Sequence, residues 1–163
     1  MEKSGFFDAV YDESTSSYDL EYFADEFAKY FSMFVGSGVF GTPTNQLRVL
    51  AQSGMNVVVR PGAAFIRGYW YTSDEDIVIP ISQNLTASTR KDSIVCRWDN
   101  STRKISTVYQ VGTTDIMRSD TFYDLKLAEI EVPSRTAEIS NAFITDTRTN
   151  ESVCLPQVQT LHL

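Results

Sequence analysis

Lys91-Asp92-Ser93-Ile94-Val95-Cys96-Arg97-Trp98 and Lys104-Ile105-Ser106-Thr107-Val108-Tyr109-Gln110-Val111 flank the polar run Asp99-Asn100-Ser101-Thr102-Arg103. Both flanks are rich in β-branched and aromatic side chains, and the run between them is made of turn formers. The stretch therefore predicts a β-hairpin with a loop longer than a tight two-residue turn. Downstream, Tyr123, Leu125 and Leu127 share one parity, whereas Ala128, Ile130 and Val132 share the other. A slip of one residue sends side chains to the opposite face, so either a bulge lies near Leu127 or the strand is buried on both faces. Ile139, Ala142 and Ile144 close the pattern.

Upstream the same period recurs. Ile77, Ile79 and Ile81 alternate cleanly, and Pro80 places their strand at a sheet edge. Residues 63–72 read as one strand, in which Ala64, Ile66 and Trp70 alternate with Phe65, Arg67 and Tyr69. Gly68 inside it signals a bulge or a close backbone approach. Met55 to Arg60 is a strand stopped by Pro61-Gly62, and Leu47–Leu50 is a short one after the turn Gly41-Thr42-Pro43-Thr44-Asn45. Seven or eight short strands with turn signals between them imply a sandwich or barrel. The expected fold is mainly β, an antiparallel β-sandwich with one N-terminal α-helix.

That helix lies in Phe23-Ala24-Asp25-Glu26-Phe27-Ala28-Lys29-Tyr30-Phe31-Ser32-Met33-Phe34-Val35, where Phe23, Phe27, Tyr30 and Phe34 recur at helical spacing. Ala24, Ala28 and Phe31 widen the stripe; Tyr22 and Met33 extend it beyond one face. Asp25 and Glu26 suit a first turn, the start falls between Ser17 and Phe23, and Gly36 or Gly38 ends the helix. So much aromatic surface has to be covered by protein, either the chain's own sandwich or a sister subunit. Phe23, Phe27, Tyr30, Phe31 and Phe34 are the expected assembly interface. Ahead of them, the Ser-rich residues 1–17 read as an arm with Phe6-Phe7 and Val10-Tyr11 as docking points. The chain divides into arm and helix (1–40), sandwich (41–150) and tail (151–163).

At 163 residues the chain suits a single domain that needs neither disulfide nor metal. A net charge of −7 disfavours nucleic acid and anionic membranes as partners. No run approaches the ~20 apolar residues of a bilayer span, and Met1-Glu2-Lys3-Ser4-Gly5 is not the start of a secretory signal. Read from a natural Met1, the chain is made and assembled in a cytoplasm. Cys96 and Cys154 are then expected as buried reduced thiols, and the Asn84, Asn100 and Asn150 sequons as chance matches.

Chemistry-bearing patterns are sparse. The one histidine, His162, sits a residue from the end, and no nucleophile elbow, phosphate loop or zinc motif occurs. Asp74-Glu75-Asp76 reads as a solvated turn, and Asp92 and Asp99 as strand-end residues rather than a glycosidase pair. Asp92, Arg97, Asp99, Asp146 and Arg148 are expected to pair as ion bridges or to bond loop backbone. Tyr69 and Tyr71 offer a glycan-stacking platform that Trp98 can join. Trp70 points the other way, however, so at least one side of that strand belongs to the core. No enzyme, metal or cofactor is expected.

Several blocks carry a resemblance. They are Met1–Phe7, Ala24–Phe31 with Phe34–Phe40, Val59–Tyr71, Asp92–Asp99 with Arg103-Lys104-Ile105, Tyr123–Val132 and Ile144–Arg148. In this order they resemble the N-terminal attachment domains of baseplate and tail-appendage proteins, receptor-binding or upper-baseplate, of phages of Gram-positive bacteria. The resemblance implies a β-sandwich-like virion protein at the tail-proximal end of a receptor-binding or connector protein. It further implies a homo-oligomer, commonly a trimer, docked on a tail hub or baseplate and assembled in the host cytoplasm. Family members usually continue into a fibre or receptor-binding head, and this sequence stops at Leu163. The competing expectation is a carbohydrate-binding module that touches the host envelope.

Overall fold

The structure, a computed structural model, describes residues 5–41 and 45–157. His162 lies outside them. The N-terminal segment forms strands β1 (Tyr11–Asp12) and β2 (Ser17–Tyr18) and helix α1 (Ala24–Ser32). The body then runs through β3 (Gly38–Phe40), β4 (Val49–Gln52), β5 (Asn56–Val59), β6 (Gly62–Ile66), β7 (Tyr69–Ser73) and β8 (Ile77–Pro80). It continues with β9 (Arg90–Asp99), β10 (Lys104–Gln110), β11 (Phe122–Val132), β12 (Ile144–Asp146) and β13 (Leu155–Gln157). The protein is mainly β, a sandwich-like stack of largely antiparallel sheets with one α-helix.

The central sheet has the order β10-β9-β11-β12 and opposes two smaller ones, β13-β3-β6-β7 and β4-β5-β8. One core joins all three: Ile94, Cys96 and Trp98 of β9 and Leu125, Leu127, Ala128, Ile130 and Val132 of β11 meet Val39, Val57, Val59, Ala64 and Ile66. The β9–β10 hairpin forms as its alternation predicts, with Lys104 opposite Asp99 and Gln110 opposite Ser93. The parity conflict in β11 resolves as a bulge. Register with β9 shifts between Lys126 and Ala128, leaving Leu127 unpaired. Leu125, Leu127, Ala128 and Ile130 consequently all reach the core. β8, with Pro80, is an edge strand, as expected.

Residues 63–72 are not one strand. β6 and β7 are an antiparallel pair joined by Arg67 (φ 53°) and Gly68 (φ 88°). Two consecutive positive φ values are the signature of a tight type I′ hairpin turn, whose twist matches that of the strands. Leu47 is likewise not in a strand: it takes φ 53° in a turn, is fully buried, and β4 begins only at Val49. Helix α1 starts at the late limit of the expected range. The Glu26 side chain accepts the N–H of its N-cap Phe23 at 3.1 Å, half of a capping box. It ends before either glycine, because the Met33 N–H turns to Tyr30 O at 3.1 Å and tightens the last turn.

β3, within the segment assigned to arm and helix, pairs with β6; β13, within the tail, pairs in parallel with β3. These short strands carry too few residues to show a period, which is why the sequence suggests fewer strands than form.

Candidate docking site

The arm is built on local side-chain bonds. Asp12 Oδ1 accepts the Ser14 N–H at 2.8 Å and its hydroxyl at 2.6 Å, closing the turn between β1 and β2, where Tyr11 and Tyr18 meet edge-on at 5.3 Å. Asp19 Oδ1 accepts the Val10 N–H at 2.7 Å, and the Tyr22 hydroxyl accepts the Phe7 N–H at 2.9 Å. The last bond seats Phe6 over the helix. Its ring centroid lies 5.5 Å from those of Tyr22 and Phe27 and 4.6 Å from that of Tyr30. Tyr30 in turn touches Phe31 and Phe34 edge-on, at 5.7 and 5.1 Å. Arm and helix thus form one aromatic layer, in which Phe6, one of the docking points expected in the arm, is the keystone.

The body holds this layer by its far side. Ala28 is the one buried residue of α1. It rests on the β6–β7 turn so closely that a Cβ on Gly68 would lie 1.8 Å from the Ala28 carbonyl oxygen. The glycine thus provides both the positive φ of the turn and the close approach that its place in the pattern suggested. Beside it, the Arg67 N–H donates to Ser37 Oγ at 2.9 Å. The Arg67 guanidinium lies 5.0 Å over the Trp98 ring and donates to Ser119 O at 2.8 Å.

Everything else on the helix looks outward. Phe23 is 62% exposed, Phe27 42%, Tyr30 40%, Phe31 47% and Phe34 71%. The sandwich therefore does not cover the five expected interface residues; it covers Ala28. Among the described residues, twelve of the seventeen large hydrophobic side chains left exposed precede Val35. At ~150–250 Å² per ring and roughly half exposed, the five rings alone present on the order of 500 Å² of apolar surface. That matches the largest patch of a typical monomer and approaches the ~800 Å² each partner commits to a stable interface.

The other predicted residues have structural occupations. Tyr69 and Tyr71 are half-buried against the core, the Tyr71 hydroxyl 3.3 Å from Thr107 Oγ1, while Trp70 on the opposite face is 73% exposed. A sugar approaching this strand meets Trp70, not the tyrosine pair. Buried Asp92 accepts Arg90 Nε at 2.8 Å, the Tyr109 hydroxyl at 2.5 Å and the Gly112 N–H at 2.7 Å. Burial pushes its pKa up, but these donors outweigh it and hold the carboxyl below the ordinary value. Arg97 grips buried Asp124 through Nε and Nη2 at 2.7 and 2.8 Å, and Asp124 also accepts the Met117 N–H. Both clusters tie the loop after β10 to the central sheet.

Arg148, fully buried, holds Asp146 through Nη2 at 2.6 Å and Gln46 O through Nη1 at 2.5 Å. Asp99 closes the hairpin loop by accepting the Ser101 N–H at 2.9 Å. Asp76 of the acidic turn pairs with Arg60 at 2.6 Å. Asn84 is fully buried, its amide donating to Ser88 O and Val132 O, so that sequon is closed to modification. Cys96 and Cys154 are free and fully buried; burial raises both thiols, that of Cys154 to about 11. Among the described residues no three His, Cys, Asp or Glu side chains gather as a metal set, and no helix is long and apolar enough to cross a membrane.

No family model matches the chain, and no curated protein or solved structure matches it. The aromatic layer turned away from a well-packed body is thus the feature from which a function has to be read.

Proposed function

We propose that this chain is a structural attachment part of a phage tail or baseplate, or of a phage-tail-like particle, joined to its neighbour by protein–protein contacts through the arm and α1. One observation carries the reading. The body buries most of its own apolar side chains, whereas the arm and helix assemble an ordered aromatic layer and leave it uncovered. A patch of this size is the largest that a typical monomer carries, and such patches are often functional contact sites. The tail setting comes from the ordered sequence blocks, and a homotrimer belongs to the same reading.

The test is location. Antibody raised against the body, coupled to gold and applied to purified tailed particles from the same source, is expected to mark the tail end. Particles that lack the chain, or carry it in the capsid, overturn the proposal. In parallel, the chain with Phe27, Phe31 and Phe34 all changed to Ala is expected to stay out of particles while its body melts as before.

A further inference from the structure

Charge is distributed as unevenly as apolar surface. Residues 1–41 hold eight of the chain's 21 acidic residues and two of its 14 basic ones, giving −6 of the total −7; the remaining 122 residues are almost neutral. In the described part the imbalance lies on the segments that carry the rings. Asp8, Asp19, Glu21 and Asp25 are exposed there, Lys29 is the one cation of those segments, and Arg67 of the body lines a cleft with Asp25 and Lys29. The ion pairs found among the described residues all lie between Arg60 and Arg148, so none neutralises an arm or helix carboxylate. The face is thus an apolar centre with an acidic, electrically unbalanced rim.

Resting on the attachment reading above, we infer that this face docks on a different protein, into a groove that is apolar at its centre and lined by Lys and Arg, and not on the same face of a second copy. A two-fold contact would press the patch against itself, since the same residues occur on both sides. It would bring two net charges of −6 face to face, where physiological salt weakens repulsion only beyond ~8 Å. Like charges facing each other across an interface select against that pairing, whereas a basic rim speeds encounter and fixes orientation. The same balance turns away polyanions such as nucleic acid and anionic bilayers. A trimer, where one forms, is then held by the body, leaving the aromatic face for the partner.

Two measurements on the full chain test this. The first is sedimentation velocity of the wild type and of the chain with Phe27, Phe31 and Phe34 changed to Ala, at ~20 and ~500 mM salt. Both are expected to show the same oligomeric state. An oligomer that the triple substitution dissolves means that arms pair with arms, which overturns this inference and spares the attachment reading. The second is carbodiimide treatment of intact particles, which joins carboxylates directly to lysine amines in contact with them. Asp8, Asp19, Glu21 or Asp25 are expected to link to lysines of another protein. Links only to a second copy, or none from the arm and helix in particles that contain the chain, overturn it. Absence of the chain from the particles instead overturns the attachment reading. Among the described residues neither Glu21 nor Asp25 makes an ion pair, and the double change Glu21→Lys with Asp25→Lys is expected to cut incorporation at least roughly tenfold without altering the melting of the body. Unchanged incorporation counts against the basic groove.

Discussion

Replacing Gly68 by Ala tests how the helix is mounted, because two separable costs meet at that position. The first is conformational. Gly68 sits at φ +88°, where a Cβ costs about 1–2 kcal/mol. The second is steric. The new methyl carbon would lie 1.8 Å from the Ala28 carbonyl oxygen and 2.6 Å from its Cα, both under the 3.0 Å that real Cβ atoms keep. These are backbone atoms of a helix and cannot rotate aside, so overpacking adds about 1–3 kcal/mol. Gly54 is a control within the same molecule. It has φ +69° and nothing within 4 Å of its would-be Cβ, so Gly54→Ala carries the first cost alone.

Urea denaturation followed by tryptophan fluorescence should therefore give a loss of about 1–2 kcal/mol for Gly54→Ala and about 2–5 kcal/mol for Gly68→Ala. Part of the strain in the second variant can be relieved by lifting α1 off the body, which opens the helix. Cleavage by trypsin at Lys29 should then accelerate roughly tenfold, while cleavage within the sandwich keeps its rate. If the two variants lose the same stability within about 0.5 kcal/mol and are cut at Lys29 equally fast, α1 is not seated on the Arg67–Gly68 turn. The outward orientation of its rings would then lose its footing.

Two further outcomes follow from the buried charges. Changing Arg97 to Met strands Asp124, whose side chain is fully buried, and should cost about 3–5 kcal/mol in chemical denaturation; replacing both, as Arg97→Met with Asp124→Leu, should recover about half. Asp92 is held below its ordinary pKa, so the unfolded chain takes up the proton first: its stabilising contribution is complete above about pH 4 and is lost as pH falls through the depressed folded value. Stability measured across acid pH should fall less steeply in Asp92→Asn than in the wild type, and an identical slope would show that the cluster around Asp92 does not favour the charged carboxylate.

What the sequence showed of this fold depends on whether the signal was local. The hairpin at 91–111, the edge strand with Pro80 and the parity slip at Leu127 each occupy enough consecutive residues for a period of two to be seen. The β6–β7 turn was hidden because alternation runs straight through it: Arg67 takes a positive φ that Asn or Asp usually adopts, so the customary turn dipeptide is missing. Partners of the buried charges were out of reach for another reason, since Arg97 and Asp124 are 27 residues apart and meet only through strand register. The aromatic stripe was legible as a helix, but its destination was not. Periodicity fixes which residues share a face, not whether a chain's own core or another molecule lies against it.

The thiols have a practical consequence. Cys96 and Cys154 are the only two cysteines, both sealed in the interior, with burial holding them in the protonated, unreactive form. A maleimide dye or spin label added to the native protein should find nothing to modify. A cysteine introduced at Ser14 or Met33, both exposed, would then be the single addressable position on the molecule, with no need to remove the natural pair first. Probes could be placed one at a time along the arm and helix, and their environment followed as the protein meets its surroundings.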